Sequence, residues 1–468
     1  MPGASVAPLR LDRAGPGEAA RAVAIGAVLA LAVARRLARP AVAWLAGALV
    51  ARFAPTGRGA VGVPDGPLAW ARVGCDGLVD GFERLGPTFV KLGQLVASSP
   101  AVFPAPLAAA CARCLDQVTP MPADVARRVV EADLGSPVAE RFATFDDVPL
   151  AAASIAQVHA CTLPDGRPAV LKVQRPGIAA TMARDLRIMA LLARVAGRTA
   201  LGRTANLTGA VDDLARTTAR ELDARLEAAE QRRFRSGIWA FGDNAMVTAP
   251  EVYEEWCGAH VICMERMHGA PLDRVDVTRV DSELLIRRAV KVWLEALAVH
   301  GPFHGDVHAG NLWLLDDGRV AFLDFGIVGE LEPEWRALFR DLFRTSALDS
   351  DYVRVVRNFK AVGVLPAEAD EANLAMVVQS LFAPLTERSL SEVGLGDVLR
   401  SLFGVLRSFG VGVPEELLLV TKQLVYFEGY SKSLAPAYVM AKDLFLLRNL
   451  LPAEVAARAA AAHLALPA

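Results

Sequence analysis

The sequence predicts an α+β protein with two lobes and a helical N-terminal extension. Its 468 residues exceed one typical domain, and 53% of them are hydrophobic, so a large core is possible. Two pairs of apolar runs are each separated by an Asp-Gly turn, which is a strong signal for a β-hairpin. Much of the remaining chain has the apolar spacing of amphipathic helices. We therefore expect two hairpins set between helical regions.

The net charge of −2 gives no overall electrostatic basis for binding nucleic acid. The charge is unevenly placed, because residues 1–58 carry eight arginines against Asp12 and Glu18. This positive excess indicates contact with an anionic surface. The six cysteines are scattered, as in a reducing compartment, and the Cys111-Cys114 pair has no second ligand pair nearby. We expect a cytoplasmic protein that lies peripheral to a membrane and binds no nucleic acid.

The N-terminal region holds two apolar runs, Ala22–Ala34 and Ala41–Val50, between a tail at residues 1–17 and a Gly- and Pro-rich linker at 57–66. Neither run alone reaches the roughly 20 residues needed to span a membrane. We expect an interfacial hairpin or amphipathic pair, within Ala22–Arg52, whose arginines meet anionic lipid head groups. The alternative is that both runs are ordinary core helices.

The second hairpin carries the candidate site. Leu312–Leu315 and Val320–Leu323 flank its turn. If the Asp-Gly dipeptide is the centre of the turn, the pairing places Asn311 opposite Asp324 at the open end. An amide oxygen and a carboxylate are ligands that Mg²⁺ accepts, together with phosphate oxygens and water. Asn311 and Asp324 are therefore predicted to bind Mg²⁺ and, with it, a nucleotide.

A third residue completes this motif. Asp306 lies five residues before Asn311, and Phe-Gly follows Asp324. This is the spacing of the catalytic loop and of the Asp-Phe-Gly motif of protein kinases. Asp306 is therefore the candidate catalytic residue.

Two other interpretations of this segment are open. The hairpin could be purely structural, but that leaves the coincidence of His304, Asp306, Asn311 and the Asp-Phe-Gly motif unexplained. A metallohydrolase could use the alternating His304, Asp306 and His308 as ligands. That interpretation gives no role to Asn311 or to the Asp-Phe-Gly motif.

The first hairpin supplies a lysine. Its strands are Ile155–Thr162 and Pro168–Gln174. Lys172 lies between Leu171 and Val173, so its side chain points to the face opposite these apolar neighbours. This is the position expected for a lysine that contacts phosphate.

Two further segments are predicted to contact the nucleotide. Four small residues precede the first hairpin, where a kinase has its glycine-rich loop, and they allow backbone N–H groups to approach phosphate. They are Ala151, Ala152, Ala153 and Ser154. Val261–Glu265 reads as a buried strand between the lobes, and Met264 and Glu265 at its end are the other predicted contacts.

Three acidic residues are predicted to share one helix, namely Glu221, Asp223 and Glu227. Asp223 and Glu227 share a face, whereas Glu221 lies about 120° around the helix from Glu227. The two glutamates therefore pair with different cations. In an earlier helix Lys91 and Gln94 share a face.

These motifs together resemble the UbiB/AarF family of atypical kinases, which are protein-kinase-like proteins associated with isoprenoid quinone metabolism. The resemblance covers about Leu85–Leu434. It rests on KLGQ (Lys91–Gln94), AAASIAQVH (Ala151–His159), VLKVQRPG (Val170–Gly177), ELDARLEAAE (Glu221–Glu230), HGDVHAGN (His304–Asn311) and LDFG. Ordinary kinases have neither KLGQ nor AAAS, so these two motifs are specific to the family.

The resemblance implies a role for each matched catalytic residue. Lys172 would hold the α- and β-phosphates of ATP or ADP and would pair with Glu227. Asp306 would be the acid of the catalytic loop. Asn311 and Asp324 would bind Mg²⁺.

The resemblance also implies a regulatory group in the helical extension. Lys91 would lie over the active site and pair with Glu221, and Gln94 and Asp223 belong to the same group. We expect ATP hydrolysis instead of protein phosphorylation, because an extension across the cleft would block a polypeptide acceptor and still admit water. The expected partners are an adenine nucleotide, anionic membrane lipids and components of isoprenoid or quinone metabolism.

Two alternative functions are open. HGDVHAGN also looks like the loop of aminoglycoside and choline kinases, which are small-molecule phosphotransferases that lack KLGQ. A nucleotide-binding regulator, or pseudokinase, of a lipid-modifying complex would use the same residues without turnover. The predicted domains are a tail and membrane-interfacial segment at 1–66, the helical extension at 67–140, an N-lobe at 141–265, a C-lobe at 266–450 and a tail at 451–468.

Overall fold

A computed structural model describes residues 16–53, 66–97, 104–115, 120–199, 207–276, 278–387, 392, 394–408 and 415–467. The chain divides into two compact units. Unit 1 comprises Met1–Ala224 and Trp256–Cys263, and unit 2 comprises Arg225–Glu255 and Met264–Ala468. The predicted tail at 1–17 and linker at 57–66 lie almost entirely outside the described residues, and the predicted domain boundaries stay predictions.

Unit 1 is mainly helical with one small sheet. Its helices are α1 (Pro16–Phe53), α2 (Gly66–Leu85), α3 (Pro87–Ala97), α4 (Ala105–Cys111), α5 (Ala123–Leu134), α6 (Val138–Arg141), α7 (Ile178–Ala196) and α8 (Leu207–Glu221). The strands among the described residues of both units are β1 (Thr144–Ala152), β2 (Ala156–Thr162), β3 (Pro168–Gln174), β4 (Val247–Thr248), β5 (Val261–Glu265), β6 (Gly269–Pro271), β7 (Phe303–His304), β8 (Leu312–Leu315), β9 (Val320–Phe322) and β10 (Val328–Gly329).

The N-terminal apolar region forms one continuous helix, so the predicted hairpin or pair of helices is wrong. α1 passes through Pro40 without ending. Proline in a helix interior removes one backbone hydrogen bond and bends the helix, but it does not always terminate it. Joined in this way, the segment Gly17–Val42 is long and apolar enough to cross a membrane, judged by length and composition alone. The length limit that applies to each apolar run separately therefore does not apply to α1.

One face of α1 packs closely on α2. A Cβ atom added at Gly77 would lie 2.7 Å from the backbone Cα of Val33, so a side chain does not fit there. Nearby, the Arg36 guanidinium donates to both carboxylate oxygens of Asp80, at 2.5 and 2.9 Å. These hydrogen bonds raise the pKa of Arg36 and lower the pKa of Asp80. At this face α1 packs against the protein, as expected from the alternative in which the apolar runs are ordinary core helices.

We expect Gly77→Ala to destabilise the helical region of unit 1. The added methyl group would push α1 away from α2, and overpacking of this kind costs about 1–3 kcal/mol. Thermal unfolding and hydrogen exchange of the α1 amides measure the effect. Gly74→Ala is the matched control, because an added Cβ there has nothing within 4 Å. Equal stability and equal α1 protection in the two variants would contradict the close packing.

The sheet of unit 1 has the strand order β1-β2-β3-β5. β2 and β3 form the first predicted hairpin, with Val158 opposite Lys172. The Gly166 amide donates to the Leu163 carbonyl at 2.9 Å, and Gly166 has φ of 88°, which glycine adopts without a steric penalty. The local turn chemistry therefore places Lys172 on the second strand, as predicted.

Unit 2 is built around a large apolar core. Its helices are α9 (Ala224–Ile238), which starts one residue before the unit, α10 (Ser282–Glu295), α11 (Pro333–Arg344), α12 (Tyr352–Ala361), α13 (Glu371–Glu387), α14 (Leu395–Ser408), α15 (Glu415–Leu434), α16 (Leu444–Leu447) and α17 (Pro452–Ala461). Trp293 of α10 is fully buried and stacks edge-on against Phe303 and Phe427. The region predicted as a C-terminal tail contains α17, whose Val455 is buried.

Unit 2 also contains a four-stranded sheet of order β4-β9-β8-β6 and a two-stranded sheet of β10 and β7. β8 and β9 are the second predicted hairpin. β7 ends at His304, and the loop that follows leads into β8. Asp306, Asn311 and Asp324 therefore lie on one continuous loop and hairpin.

Candidate functional site

His304 is a buried connector of the catalytic loop. It is fully buried, its Nε2 lies 2.9 Å from the Leu323 carbonyl oxygen, and its Nδ1 accepts from the Asp306 amide at 3.1 Å. Burial lowers the pKa of His304, which keeps the ring neutral. Both ring nitrogens are thus occupied, and the described residues contain no group of three His, Cys, Asp or Glu side chains that could hold a metal ion. His304 therefore has no ring nitrogen available for a metal ion, which argues against the metallohydrolase interpretation.

The register of the second hairpin differs by one residue from the prediction. Leu312 pairs with Phe322, and the Leu323 amide donates to the Asn311 carbonyl at 2.8 Å. Asn311 therefore faces Leu323, and Asp324 lies one position beyond. The cause is a longer turn: the Leu315 amide donates to the Arg319 carbonyl at 2.8 Å, so Asp316 joins Asp317 and Gly318 in a three-residue loop, in which Gly318 has φ of 86°.

Asn311 is oriented by the catalytic loop. Its side-chain Nδ2 donates to the Asp306 carbonyl oxygen at 3.0 Å, and the residue is buried. Because the amide nitrogen is used in this contact, the amide oxygen is the atom directed toward a ligand. This orientation fits an oxygen ligand of Mg²⁺.

Asp324 has an unusual backbone conformation. Its φ is 57°, in the left-handed region that non-glycine residues rarely adopt. Its Oδ1 accepts from the Gly326 amide at 3.1 Å. The next residue, Phe325, is buried and its ring contacts those of His304 and Phe234, with centroids 5.0 and 5.1 Å away. The core packing of Phe325 thus holds the backbone of Asp324 in the left-handed conformation, which costs roughly 1–3 kcal/mol, and leaves the Asp324 side chain exposed.

The donor set fits a magnesium ion. Asn311 and Asp324 supply an amide and a carboxylate oxygen, which are the hard ligands that Mg²⁺ prefers, and two protein ligands leave positions for phosphate and water. A hydrogen bond orients each side chain: Asn311 donates to the Asp306 carbonyl, and Asp324 accepts from the Gly326 amide. The assignment of these two residues as metal ligands stays a prediction.

The carboxylate of Asp306 contacts a residue that sequence reasoning missed. Lys422 of α15 donates to Oδ1 of Asp306 at 2.8 Å, and Nε2 of His308 lies 3.7 Å from Oδ2. The neighbouring Gln423 bonds to the backbone of the same loop. No local signal marks Lys422, because α15 begins more than 100 residues after the loop and reads as an ordinary amphipathic helix.

In unit 1 the candidate phosphate-binding residues occupy the predicted elements. Leu171 and Val173 are fully buried whereas Lys172 between them is half-buried, as expected when the Lys172 side chain points to the opposite face of the strand. Ala151 and Ala152 are the last residues of β1, and Ala153 and Ser154 begin the turn to β2, where the Ala153 amide donates to the Ala156 carbonyl at 2.8 Å. The roles of these residues in nucleotide binding stay predictions.

The predicted pairing of Lys91 with Glu221 is confirmed. Nζ of Lys91 in α3 forms a salt bridge with the carboxylate of Glu221, and the side chains are only 10% and 9% exposed. A Cβ added at Gly93 would lie 2.5 Å from Sγ of Cys114, and Nε2 of Gln94 donates to the Cys114 carbonyl at 3.1 Å. The KLGQ segment is therefore a packed element of unit 1 that is fastened at two points.

Glu221 and Glu227 lie in two helices, so the prediction of one shared helix is wrong. α8 ends at Glu221 and α9 begins at Ala224. The intervening Asp223 donates its amide to the Arg220 carbonyl at 3.2 Å, which closes the last turn of α8. Glu227 is buried in the first turn of α9. The pairing of Glu227 with Lys172 joins residues of the two units and stays a prediction.

The predicted contacts at the end of β5 are well ordered by their neighbours. The sulfur of Met264 accepts from Nε2 of Gln231 at 3.6 Å. The Glu265 amide donates to the Glu251 carbonyl at 2.8 Å, and its carboxylate accepts from the Glu251 amide at 3.1 Å. Their contact with a nucleotide stays a prediction.

The CxxC pair is structural in character. Cys111 and Cys114 are buried against α3, and burial raises the pKa of Cys111 to about 12 and that of Cys114 to about 11. A thiol with such a pKa is protonated at neutral pH and is a poor nucleophile and metal ligand.

The fold and this site define the class of protein as kinase-like. A family model described as the ABC1 atypical kinase-like domain matches residues 113–359, which is more than half of the chain. A second model, described as the UbiB helical domain, matches residues 378–438. The first match contains the loop and hairpin of unit 2, and the second contains Lys422.

The chain is similar along most of its length to several known proteins. It is 36% identical over 365 residues to an uncharacterized protein of Mycobacterium tuberculosis, covering 77% of this chain and 75% of the relative. It is 33% identical to an uncharacterized aarF domain-containing protein kinase of Arabidopsis thaliana, described as chloroplastic, with 77% and 72% covered. It is also 33% identical to a probable protein kinase UbiB of Erwinia tasmaniensis, with 76% and 66% covered.

A solved structure of a Mycobacterium tuberculosis protein in complex with erythromycin is 23% identical, with a TM-score of 0.48, and the match covers 74% of this chain and 92% of that one. From the family models and the relatives, the chain belongs to the UbiB/AarF family of ABC1 atypical kinase-like proteins.

Proposed function

We propose that this protein is a Mg²⁺-dependent ATPase of the UbiB type, which acts at a membrane in isoprenoid quinone or lipid metabolism. The arrangement of Asp306, Asn311 and Asp324 on one loop and hairpin carries the proposal. Asp306 would supply a carboxylate for the phosphoryl acceptor, and Asn311 and Asp324 would supply two oriented oxygen ligands for Mg²⁺. The link to quinone metabolism rests on the family resemblance.

Each residue has a chemical role in this proposal. Asn311 and Asp324 would hold Mg²⁺, which supplies charge neutralisation for the phosphate oxygens. Lys172 would contact the α- and β-phosphates with Glu227 as its partner. Asp306 would orient the attacking water and accept its proton.

The helical extension favours hydrolysis over protein phosphorylation. The Lys91–Glu221 salt bridge and the Gln94–Cys114 hydrogen bond fasten α3 within unit 1, the unit that also contains Lys172. An extension fastened close to a nucleotide site would obstruct a polypeptide acceptor and still admit water. Water is therefore the proposed phosphoryl acceptor.

The N-terminal helix supports membrane association. Val23 and Leu31 of α1 are 73% and 50% exposed, and Arg35 is exposed on the same helix. Exposed apolar side chains combined with arginines fit a surface that binds anionic lipid, where each arginine adds roughly 1 kcal/mol. The proposed location is peripheral to a membrane.

We expect the purified full-length chain to release ADP from ATP in the presence of Mg²⁺, and to release more when vesicles of anionic phospholipid are added. Vesicles of neutral lipid and the addition of EDTA are the controls, since they remove the lipid charge and the metal ion respectively. Nucleotide binding is measured in parallel by calorimetry. Binding without ADP release would favour the regulator interpretation, and a lack of Mg²⁺-dependent binding would overturn the proposal.

A further inference from the structure

Lys422 reaches the catalytic loop from outside the kinase-like domain. Its Nζ donates to Oδ1 of Asp306 at 2.8 Å, and the two side chains are 26% and 22% exposed. Lys422 lies within the segment that matches the UbiB helical domain, whereas Asp306 lies within the ABC1 match. The C-terminal helical segment thus contributes a cation to the carboxylate of the loop.

The position of Lys422 is set by buried contacts on both sides. The fully buried Gln423 accepts from the Val307 amide at 2.9 Å and donates to the Gly305 carbonyl at 2.6 Å. Two turns later on α15, the Tyr430 hydroxyl donates to the Val307 carbonyl at 2.7 Å. These three hydrogen bonds hold the register of α15 against the residues that flank Asp306. Lys422 is therefore presented to Asp306 by a fixed helix instead of reaching it as a mobile surface side chain.

The loop itself provides no comparable cation. Its basic residues are His304 and His308. His304 is buried with a lowered pKa and uses both ring nitrogens on the backbone. His308 is half-exposed, and its Nε2 is 3.7 Å from Oδ2 of Asp306, beyond hydrogen-bonding distance. Among the described residues, Lys422 is the ammonium or guanidinium group that contacts Asp306.

We propose that Lys422 is a positioning residue for phosphoryl transfer. By binding Oδ1 it holds the carboxylate of Asp306 in one orientation, with Oδ2 left for the acceptor. It also offsets the repulsion between this carboxylate and the negatively charged phosphoryl group, a role that fixed cations serve in such reactions. This inference rests on the proposed ATPase function.

The chemical step is balanced without any change in Lys422. The water oxygen forms a bond to the γ-phosphorus, and the bond from that phosphorus to the bridging oxygen breaks. Its electron pair leaves with ADP. The proton of the water passes to Oδ2 of Asp306 and then to solvent. Lys422 remains protonated throughout and acts only through orientation and charge.

The test compares substitutions that separate charge from packing. Lys422→Met keeps most of the length of the side chain and removes the charge, while Lys422→Arg keeps the charge. Lys432→Met is the matched control, because Lys432 lies on the same helix and pairs with Glu428 away from the loop. Steady-state turnover, the affinity for ATP with Mg²⁺ and the affinity for ADP with aluminium fluoride, a mimic of the transferred phosphoryl group, are measured for each variant.

We expect Lys422→Met to lower kcat by about 100-fold, the typical effect of losing one group that stabilises developing charge. Its affinity for ADP with aluminium fluoride falls by a similar factor, whereas its affinity for ATP changes less than about threefold, because the effect belongs to the transition state. Lys422→Arg recovers most of the activity, and Lys432→Met matches the wild type.

Three results would overturn the inference. Unchanged or increased kcat in Lys422→Met would mean that the contact is dispensable or inhibitory. Equal losses in Lys422→Met and Lys422→Arg, together with lower thermal stability, would mean that the role is structural. A wild type that binds ATP but releases no ADP, or does not bind ATP, removes the transfer step itself, and this failure of the proposed function is recognised from the wild type alone.

Discussion

Asp324→Asn is expected to abolish the Mg²⁺-dependent part of nucleotide binding. Asparagine is close in shape to aspartate and tolerates the left-handed backbone that Asp324 adopts at φ of 57°, so the fold is preserved. What is lost is the negative charge that the metal ion needs. Because changes to groups that only support a metal ligand already cost 10- to 100-fold in affinity, we expect a loss of at least about 100-fold.

Calorimetric titration of ATP in the presence and absence of Mg²⁺ measures this loss. Asp317→Asn is the matched control, since Asp317 lies in the turn of the same hairpin, where its carboxylate accepts from the Arg319 amide at 3.0 Å. Its substitution leaves the metal-dependent affinity unchanged. If Asp324→Asn binds ATP with Mg²⁺ as tightly as the wild type does, Asp324 is not a metal ligand.

Lys91→Ala and Glu221→Ala are each expected to change nucleotide turnover or the preference between ATP and ADP. The two side chains are nearly inaccessible to solvent, and breaking a buried ion pair by removing one member typically costs about 3–5 kcal/mol. Removing both relieves that penalty. The double variant should therefore be much less impaired than the sum of the single variants, with a coupling energy of at least about 1 kcal/mol.

A double-mutant cycle measures both ADP release and the free energy of unfolding. Arg128→Ala and Asp124→Ala form the control cycle, because that pair on α5 is 64% and 65% exposed and should couple by less than about 0.5 kcal/mol. Strictly additive effects of Lys91 and Glu221 would contradict the coupling. Coupling in stability with unchanged nucleotide behaviour would restrict the pair to a structural role.

The two hairpins were predictable because turn chemistry is local. Asp-Gly between two apolar runs marks a turn whatever the rest of the chain does, and both Gly166 and Gly318 adopt the left-handed conformation such turns need. The exact turn length was not predictable from the dipeptide. One extra loop residue, Asp316, moved the partner of Asn311 from Asp324 to Leu323.

The predicted helix boundaries were wrong where two opposing local signals compete. Pro40 is a strong helix breaker, yet α1 continues through it. The contacts of α1 with α2 lie before this proline, at residues such as Val33 and Arg36. Conversely, the acidic segment after Thr218 reads as one helix but breaks between Glu221 and Ala224. The salt bridge of Glu221 with Lys91 agrees with the family resemblance. Glu221 and Glu227 are separated because they lie in two helices, and not by an angle of 120° around one helix.

The sequence by itself determined the class of fold, the loop that carries Asp306, Asn311 and Asp324, and the lysine of the first hairpin. These features follow from short-range patterns of apolar, turn and ligand residues. Only the tertiary structure decided that Lys422 contacts Asp306, which lies 116 positions earlier in the chain. A contact of that kind depends on how α15 packs against the loop, and no local pattern encodes which face of a distant helix is brought to a given carboxylate.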